Sequence, residues 1–78
     1  ILKHRRRTKV ALLKLIQKKG GTASLGDMHD LAEKRFFIAH KAFSDLMEEM
    51  VAEEILHYDW SAQEATITQT GIELLETS

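Results

Sequence analysis

The chain has 78 residues, of which 44% are hydrophobic and 29% are charged, and its net charge is −1. This length allows one small domain, and the absence of cysteine excludes disulfide bonds and thiolate metal ligands. No apolar run approaches the roughly 20 residues that cross a bilayer, and no signal-peptide pattern is present. We therefore expect an intracellular protein, cytoplasmic, nucleoid-associated or nuclear, without a membrane partner. Because the chain begins at Ile1 rather than methionine, we expect a module or fragment of a larger protein.

The charges are divided between the two halves of the chain. Residues 1–41 hold all eleven Lys and Arg and three acids, a net charge of +8, whereas residues 42–78 hold nine acids and no Lys or Arg, a net charge of −9. Such a division favours a polyanion partner for the basic half, or association between oppositely charged faces. The alternative interpretation is that folding mixes the two halves in space and the division has no functional meaning.

The first helix is predicted over the segment RRRTKVALLKLIQKK, and residues 1–6 are predicted to include a flexible basic arm. Apolar residues recur at helical spacing on one face, namely Val10, Leu12, Leu13 and Ile16. The opposite face carries basic residues at i, i+7 and i+11, namely Arg7, Lys14 and Lys18. Gly20 and Gly21 follow directly, and glycine favours the conformation that ends a helix.

A second, short helix is predicted to begin after Ser24 and to end near Arg35. Ser24, with Asp27 three residues later, is typical of a capped helix start. An apolar stripe follows at i, i+3, i+6 and i+7, namely Leu25, Met28, Leu31 and Ala32. This stripe predicts that one face of the helix lies on the core.

A third helix is predicted from about Ile38 to Glu53. It follows the pair Phe36 and Phe37, of which one is expected in the core and the other at the surface as a partner contact. Its buried face is expected to contain Ala39, Phe43, Leu46, Met47 and Met50. Its outer face is expected to contain Lys41, Ser44, Asp45, Glu48 and Ala52.

From Ile55 the apolar period changes from 3.6 to 2, which predicts strands. The segment ILHYDW alternates, and the side chains on one face are Leu56, Tyr58 and Trp60. A four-residue turn, SAQE, leads to a second strand, ATITQ, in which Ala65 and Ile67 face inward. Thr70 and Gly71 are predicted to open a short last helix, IELLETS. The whole pattern predicts one α+β domain over residues 1–78.

This order of elements resembles the winged helix-turn-helix family, in the general manner of its MarR, ArsR and PadR types. The likeness rests on LLKLIQKKGGTAS, on the helix-turn-helix LGDMHDLAEKRFFIAHKAFSDLMEEMVAEEIL, and on ITQTG at residues 67–71, which is similar to an L-T-x-x-G signature. It implies a three-helix core, a two- or three-stranded antiparallel wing and a short C-terminal helix.

Two departures from the family pattern bear on function. The turn between the second and third helices is Arg35-Phe36-Phe37, where the family commonly has a glycine. The wing, residues 55–69, has no Lys or Arg, although DNA-binding members usually offer one there. The first departure concerns how the third helix is presented, and the second concerns the role of the wing.

The resemblance implies that the start of the third helix contacts DNA bases. Carried over by position, Lys41 can contact a phosphate or a guanine, and His40 and Ser44 can donate hydrogen bonds. The alternative for Lys41 is a solvated helix face with an i, i+4 pair to Asp45. For Asp45, Glu48 and Glu49 the solvated face is the preferred interpretation.

The N-terminal segment KHRRRTK is the stronger electrostatic signal for nucleic acid, because each phosphate it neutralises releases a counterion. Its alternative is a solvated terminus or a linker. Lys34 and Arg35, at the end of the second helix, are predicted to contact the backbone beside the groove. The predicted DNA-binding residues are Arg5, Arg6, Arg7, Lys9, Lys34, Arg35, His40, Lys41 and Ser44.

Two functional hypotheses follow. In the first, the domain binds double-stranded DNA, either as a monomer or as a dimer. It would then belong to a transcriptional regulator or to a replication- or chromosome-associated protein. In the second, it is a protein-interaction module whose acidic third-helix end and wing meet a basic protein or a second copy. No nucleophile, phosphate-binding loop or paired carboxylate is apparent, and the four histidines share no ligand spacing. We therefore expect no enzymatic activity, no cofactor and no metal.

Overall fold

A computed structural model describes the backbone of residues 2–77 and the side chains of residues 6–77. In this range the chain forms four helices and one three-stranded antiparallel sheet. The elements are α1 (Leu2–Lys18), β1 (Thr22–Ser24), α2 (Leu25–Phe36), α3 (His40–Ala52), β2 (Leu56–Asp59), β3 (Glu64–Ile67) and α4 (Gln69–Glu76). The α+β class predicted from the sequence is confirmed, and the arrangement is compatible with a winged helix.

Helix α1 begins earlier than predicted and ends where predicted. Its backbone is helical from Leu2, so residues 2–6, predicted as a flexible arm, continue the helix. At the other end, the amide of Gly20 donates to Gln17 O over 3.1 Å and that of Gly21 to Ile16 O over 2.9 Å. Gly20 has φ of 94°, which a residue with a side chain rarely adopts. This pair of hydrogen bonds is a Schellman termination, and it explains why the helix stops at the glycines.

Helix α2 has the predicted cap, because Ser24 Oγ accepts a hydrogen bond from Asp27 N over 3.2 Å. It ends at Phe37, which is left-handed (φ 54°, ψ 39°) and donates its amide to Glu33 O over 3.1 Å. The left-handed residue is therefore a phenylalanine. The winged helix-turn-helix family, which the chain resembles, commonly has a glycine in this turn. Phe37 is 89% exposed, as expected for one member of this pair. Phe36 is half-buried and is not part of the buried core, so the expected core position of the other member is not found.

Helix α3 begins at His40, two residues later than predicted. Ala39 is the N-cap residue with extended backbone and an exposed side chain, so the prediction that it is buried was wrong. Phe37 has a left-handed backbone and Ala39 an extended one, so α3 begins only at His40. The other four predicted core residues of α3 are buried: Phe43, Leu46, Met47 and Met50.

The sheet has the strand order β1-β3-β2, with both pairings antiparallel. Strands β2 and β3 form a hairpin in which Tyr58 lies opposite Ala65. The turn between them is formed by residues 60–63, one position earlier than the predicted SAQE. It is held by Asp59, whose Oδ1 accepts from Ser61 N and Ala62 N over 2.9 and 3.2 Å. The amide of Leu25 donates to Gln63 O over 2.9 Å, so the turn is also tied to the start of α2. This bond places the hairpin beside the start of α2, where the two elements line the groove described below.

Helix α4 is capped by Thr68 rather than opened by Thr70. The amide of Gly71 donates to Thr68 Oγ1 over 3.1 Å, and the Ile55 backbone lies so close to Gly71 that it leaves no room for a Cβ there. The core that α4 covers is built from all the other elements: Leu12, Leu13, Ile16, Ala23, Met28, Ala32, Phe43, Leu46, Met47, Met50, Ile55, Leu56 and Ala65. No helix of the described residues has the length and apolar character needed to cross a bilayer.

Candidate binding surfaces

One open depression of about 1170 Å³ runs along the outer face of α1 between α2 and the end of α4. Its floor is apolar, formed by Val10, Ala11, Leu15, Leu31 and Phe36, and its edge includes Thr77. Five cations line it: Arg6, Arg7, Lys14, Lys18 and Arg35. No acidic side chain of the described residues lines it, so the charged side chains in its lining are all positive. We call this surface the basic groove.

The helical period of α1 explains the groove. Arg7, Lys14 and Lys18 are spaced i, i+7 and i+11 and all are exposed, so they share one side of the helix. Arg35 joins them from the last turn of α2, where a cation also suits the negative end of the helix dipole. The structure thus brings Arg6, Arg7 and Arg35 together, as the predicted site required. Lys14 and Lys18 were not in that site, although their stacking with Arg7 in the sequence was the signal that places them there.

Lys9 was predicted to contact DNA, but its ammonium is engaged within the protein. Nζ donates to Glu49 Oε1 and to Glu53 Oε1, both over 2.9 Å, and the Lys9 side chain is only 11% exposed. Burial alone lowers the pKa of Lys9, but the hydrogen bonds and charges of the two glutamates outweigh it, so the pKa is raised above the ordinary 10.5. Lys9 therefore ties α1 to the acidic end of α3, and its ammonium faces these two glutamates rather than the basic groove.

The segment of residues 34–41, which we call the α2–α3 turn, is the second concentration of cations. Lys34, Arg35, His40 and Lys41 are exposed. Among them stands the ring of Phe37, which is 89% exposed. Arg35 also lines the basic groove, so the two basic surfaces are joined through this residue. The side chain of Arg5, another predicted contact, lies outside the described residues.

A second depression, of about 800 Å³, lies between α2, α3 and the β2–β3 hairpin. We call it the aromatic groove. Its lining residues are Leu25, Gly26, His29, Asp30, His40, Phe43, Ser44, Met47, Glu48, Val51, Ala52, His57, Tyr58, Trp60 and Gln63. Two of the predicted DNA contacts, His40 and Ser44, are here rather than in the basic groove. Sequence reasoning did not anticipate this groove, because its members come from three separate segments.

Aromatic rings form both sides of this groove. On the helical side, the ring of His29 lies 5.3 Å from that of His40 and 5.1 Å from that of Phe43, the latter edge-on. On the hairpin side, the rings of Tyr58 and Trp60 meet edge-to-face at 4.5 Å. Edge-to-face contacts are a favoured geometry for aromatic pairs, so ring contacts occur on both sides of the groove.

The charges of the aromatic groove are opposite to those of the basic groove. Asp30 and Glu48 line it, and none of its lining residues is Lys or Arg. Two large apolar side chains in its lining remain at the surface, since Trp60 is 77% and Val51 is 42% exposed. Phosphate would be repelled here, whereas an apolar group with a nearby cation would be attracted.

Among residues 6–77, whose side chains the structure describes, no three His, Asp or Glu side chains come close enough together to hold a metal ion. His29 makes a 3.6 Å contact from Nδ1 to Glu33 Oε2, and its Nε2 is buried without a hydrogen-bond partner in the described part of the chain.

Comparisons of the chain with protein-family models, with curated proteins and with solved structures found no match.

Proposed function

We propose that this chain is a winged-helix domain that binds duplex DNA, as a module of a transcriptional regulator or of a replication- or chromosome-associated protein. The proposal rests on one observation above all: five cations surround a groove that no described acid lines. The cations of the α2–α3 turn extend the same surface through Arg35. The helix and strand order, with a hairpin after α3, supports the winged-helix assignment.

The spacing of the α1 cations suits a phosphate backbone. Arg7 and Lys18 are eleven residues apart, which is roughly 16 Å along a helix that rises 1.5 Å per residue. One strand of duplex DNA places about five phosphates over that length, at 3.4 Å of axis for each. Arginine binds phosphate through two parallel N–H donors, and lysine acts as a point charge. Arg6, Arg7 and Arg35 would then orient the backbone, and Lys14 and Lys18 would add attraction.

Binding through phosphate contacts depends little on the base sequence of the DNA. Contacts to phosphate position a protein on the duplex, whereas base recognition needs donors and acceptors directed into a groove. In α3 we assign base contact only to Lys41, which is exposed in the first turn of the helix. His40 and Ser44 line the aromatic groove, which also contains the carboxylates of Asp30 and Glu48. The domain is therefore proposed to bind DNA mainly through electrostatic attraction.

A salt-dependent titration tests the proposal. Fluorescence anisotropy of a labelled duplex is measured between about 50 mM and about 200 mM salt, where several phosphate contacts would reduce affinity by orders of magnitude. Arg35→Ala should weaken binding and make the slope of log K against log salt shallower by about one. Lys19→Ala is the matched control, because Lys19 pairs with Asp27 at 3.2 Å and does not line the groove. Absence of binding at the lowest salt, or equal effects of the two variants, would contradict the proposal.

The protein-interaction hypothesis is supported by part of the surface that the sequence suggested, since Glu48 of α3 and Tyr58 and Trp60 of the hairpin line the aromatic groove. Glu49 and Glu53, at the acidic end of α3, already bind Lys9 of the same chain. The aromatic groove, which combines exposed apolar side chains with Asp30 and Glu48, is the observation that favours a protein partner.

A further inference from the structure

Three large hydrophobic side chains are exposed among the described residues, and they fall into two complementary places. Val51 and Trp60 line the aromatic groove. Phe37 is the third, and it does not line the groove of its own chain. The exposed ring and the open apolar groove both contact water in the single chain. Burying the ring in a groove would remove both apolar surfaces from water, which is favourable.

The charges around the two places are opposite. Phe37 is surrounded along the chain by Lys34, Arg35 and Lys41, all exposed. The groove carries Asp30 and Glu48 and no cation in its lining. A ring that enters the groove from outside would therefore bring its lysines and arginine toward two carboxylates, which favours this pairing over groove against groove or turn against turn.

The backbone of Phe37 holds the ring outward. The residue is left-handed, with φ of 54°, a conformation that residues with a side chain rarely adopt. Its amide is bonded to Glu33 O and the amide of Ile38 to Ala32 O over 3.2 Å, so the turn is fixed to the end of α2. Strained residues of this kind tend to occur at binding sites.

We propose that the α2–α3 turn of one copy docks in the aromatic groove of a second copy, with Phe37 between the ring walls and its flanking cations at Asp30 and Glu48. The contact joins unlike surfaces, so it closes into a dimer if it is reciprocal about a twofold axis and continues into longer assemblies if it is not. Either arrangement raises the mass above that of one chain and covers Trp60. This proposal goes beyond DNA binding and does not depend on it.

The experiment uses the protein without DNA, so its result is separate from that of the DNA titration. Sedimentation velocity gives the mass over a series of protein concentrations. Trp60 is the sole tryptophan of the chain, and its fluorescence emission reports coverage of the groove. We expect the mass to rise with concentration and the emission to shift to shorter wavelength over the same range.

Two variants attack the two sides of the contact. Phe37→Gly removes the ring and also suits the left-handed backbone, so it weakens association at least tenfold without unfolding the domain. Val51→Lys places a cation in the groove and weakens association to a similar degree. Ala42→Lys is the matched control for charge, because Ala42 is exposed on α3 but outside the groove, and it should associate like the parent protein. Circular dichroism checks that each variant is folded.

Mixing the two variants tests whether the turn of one copy contacts the groove of another. Phe37→Gly retains an intact groove and Val51→Lys retains an intact turn, so an equimolar mixture should associate although neither variant does so alone. A parent protein that stays monomeric at all concentrations would overturn the proposal. So would association that Phe37→Gly leaves unchanged, or that leaves the emission of Trp60 unchanged, because the contact would then lie on another face.

Discussion

The amide of Gly71 donates a hydrogen bond to the hydroxyl oxygen of Thr68 over 3.1 Å, and the same hydroxyl donates to Glu54 O over 2.6 Å. Thr68 thereby caps α4 and ties its start to the end of α3. Gly71 is buried, and a Cβ built on it would overlap the carbonyl oxygen of Ile55 and lie 2.9 Å from Cγ1 of Ile67. The ITQTG segment therefore has a physical reason for its first threonine and for its glycine.

Thr68→Ala should lower the free energy of unfolding by about 1 kcal/mol, the usual cost of losing an N-cap side chain. The control is Thr70→Ala, at an exposed position inside α4, where alanine is at least as favourable to the helix. Urea unfolding followed by circular dichroism measures both. Equal losses in the two variants would mean that Thr68 does not cap α4.

Gly71→Ala should cost about 2–3 kcal/mol, because the added methyl must displace backbone rather than a flexible side chain. Gly26→Ala provides the matched control. A Cβ at Gly26 meets nothing within 4 Å, and the residue is exposed within α2. That variant should gain about 0.5–1 kcal/mol, since alanine restricts the unfolded chain and favours the helix. Thermal unfolding should therefore move in opposite directions for the two substitutions.

Lys9→Met should lower stability by about 1–2 kcal/mol. The loss comes from removing the two ion pairs that Lys9 makes with Glu49 and Glu53, and it is moderate because both glutamates are partly exposed. Lys14→Met, on the outer face of the same helix, should change stability by less than about 0.5 kcal/mol. A cost at Lys9 no greater than that at Lys14 would argue against the ion pairs.

The pH dependence of the Lys9 contribution follows from its raised pKa. A cation whose pKa is higher in the folded state stabilises the fold fully below its ordinary value of 10.5, and the contribution is lost as the pH rises through the folded pKa. The stability difference between the parent protein and Lys9→Met should be constant from about pH 7 to about pH 10 and should decrease above that range. Urea unfolding across this range measures the difference.

Phe37→Gly and Glu54→Gly should each raise the free energy of unfolding by about 1 kcal/mol. Phe37 (φ 54°) and Glu54 (φ 61°) both take the left-handed conformation that glycine adopts without steric cost. The amides of Glu54 and Ile55 donate to Val51 O and Met50 O over 3.0 and 3.2 Å, which is the termination that normally ends in glycine. Phe37→Ala serves as control, because it removes the ring but keeps the Cβ; it should not gain the same stability.

Local patterns in the sequence were enough to predict most of the secondary structure. The change to strand periodicity after α3, the period of α1 and the capping serine at position 24 each depend on residues a few positions apart, and the strands, the helix and the cap were confirmed. The predicted alternation was only partly confirmed, because β2 spans Leu56–Asp59 and Trp60 lies beyond it in the turn. The predicted start of α3 was two residues early, because the left-handed Phe37 and the extended Ala39 are set by the packing of α2 against α3. Capping by Thr68 instead of Thr70 likewise depends on the carbonyl of Glu54, fourteen residues away.

The sequence by itself determined the division of charge, the helix that carries the basic face, and the exposure of one member of the Phe36–Phe37 pair. Only the tertiary structure decided that Lys9 forms ion pairs with Glu49 and Glu53, and that Arg35 lines the same groove as the α1 cations. It alone assembled the aromatic groove, whose sides come from α2, α3 and the hairpin. The physical reason is range: periodicity and caps act over one or two helical turns, whereas ion pairs and grooves bring together residues that lie tens of positions apart and meet only when the core has formed.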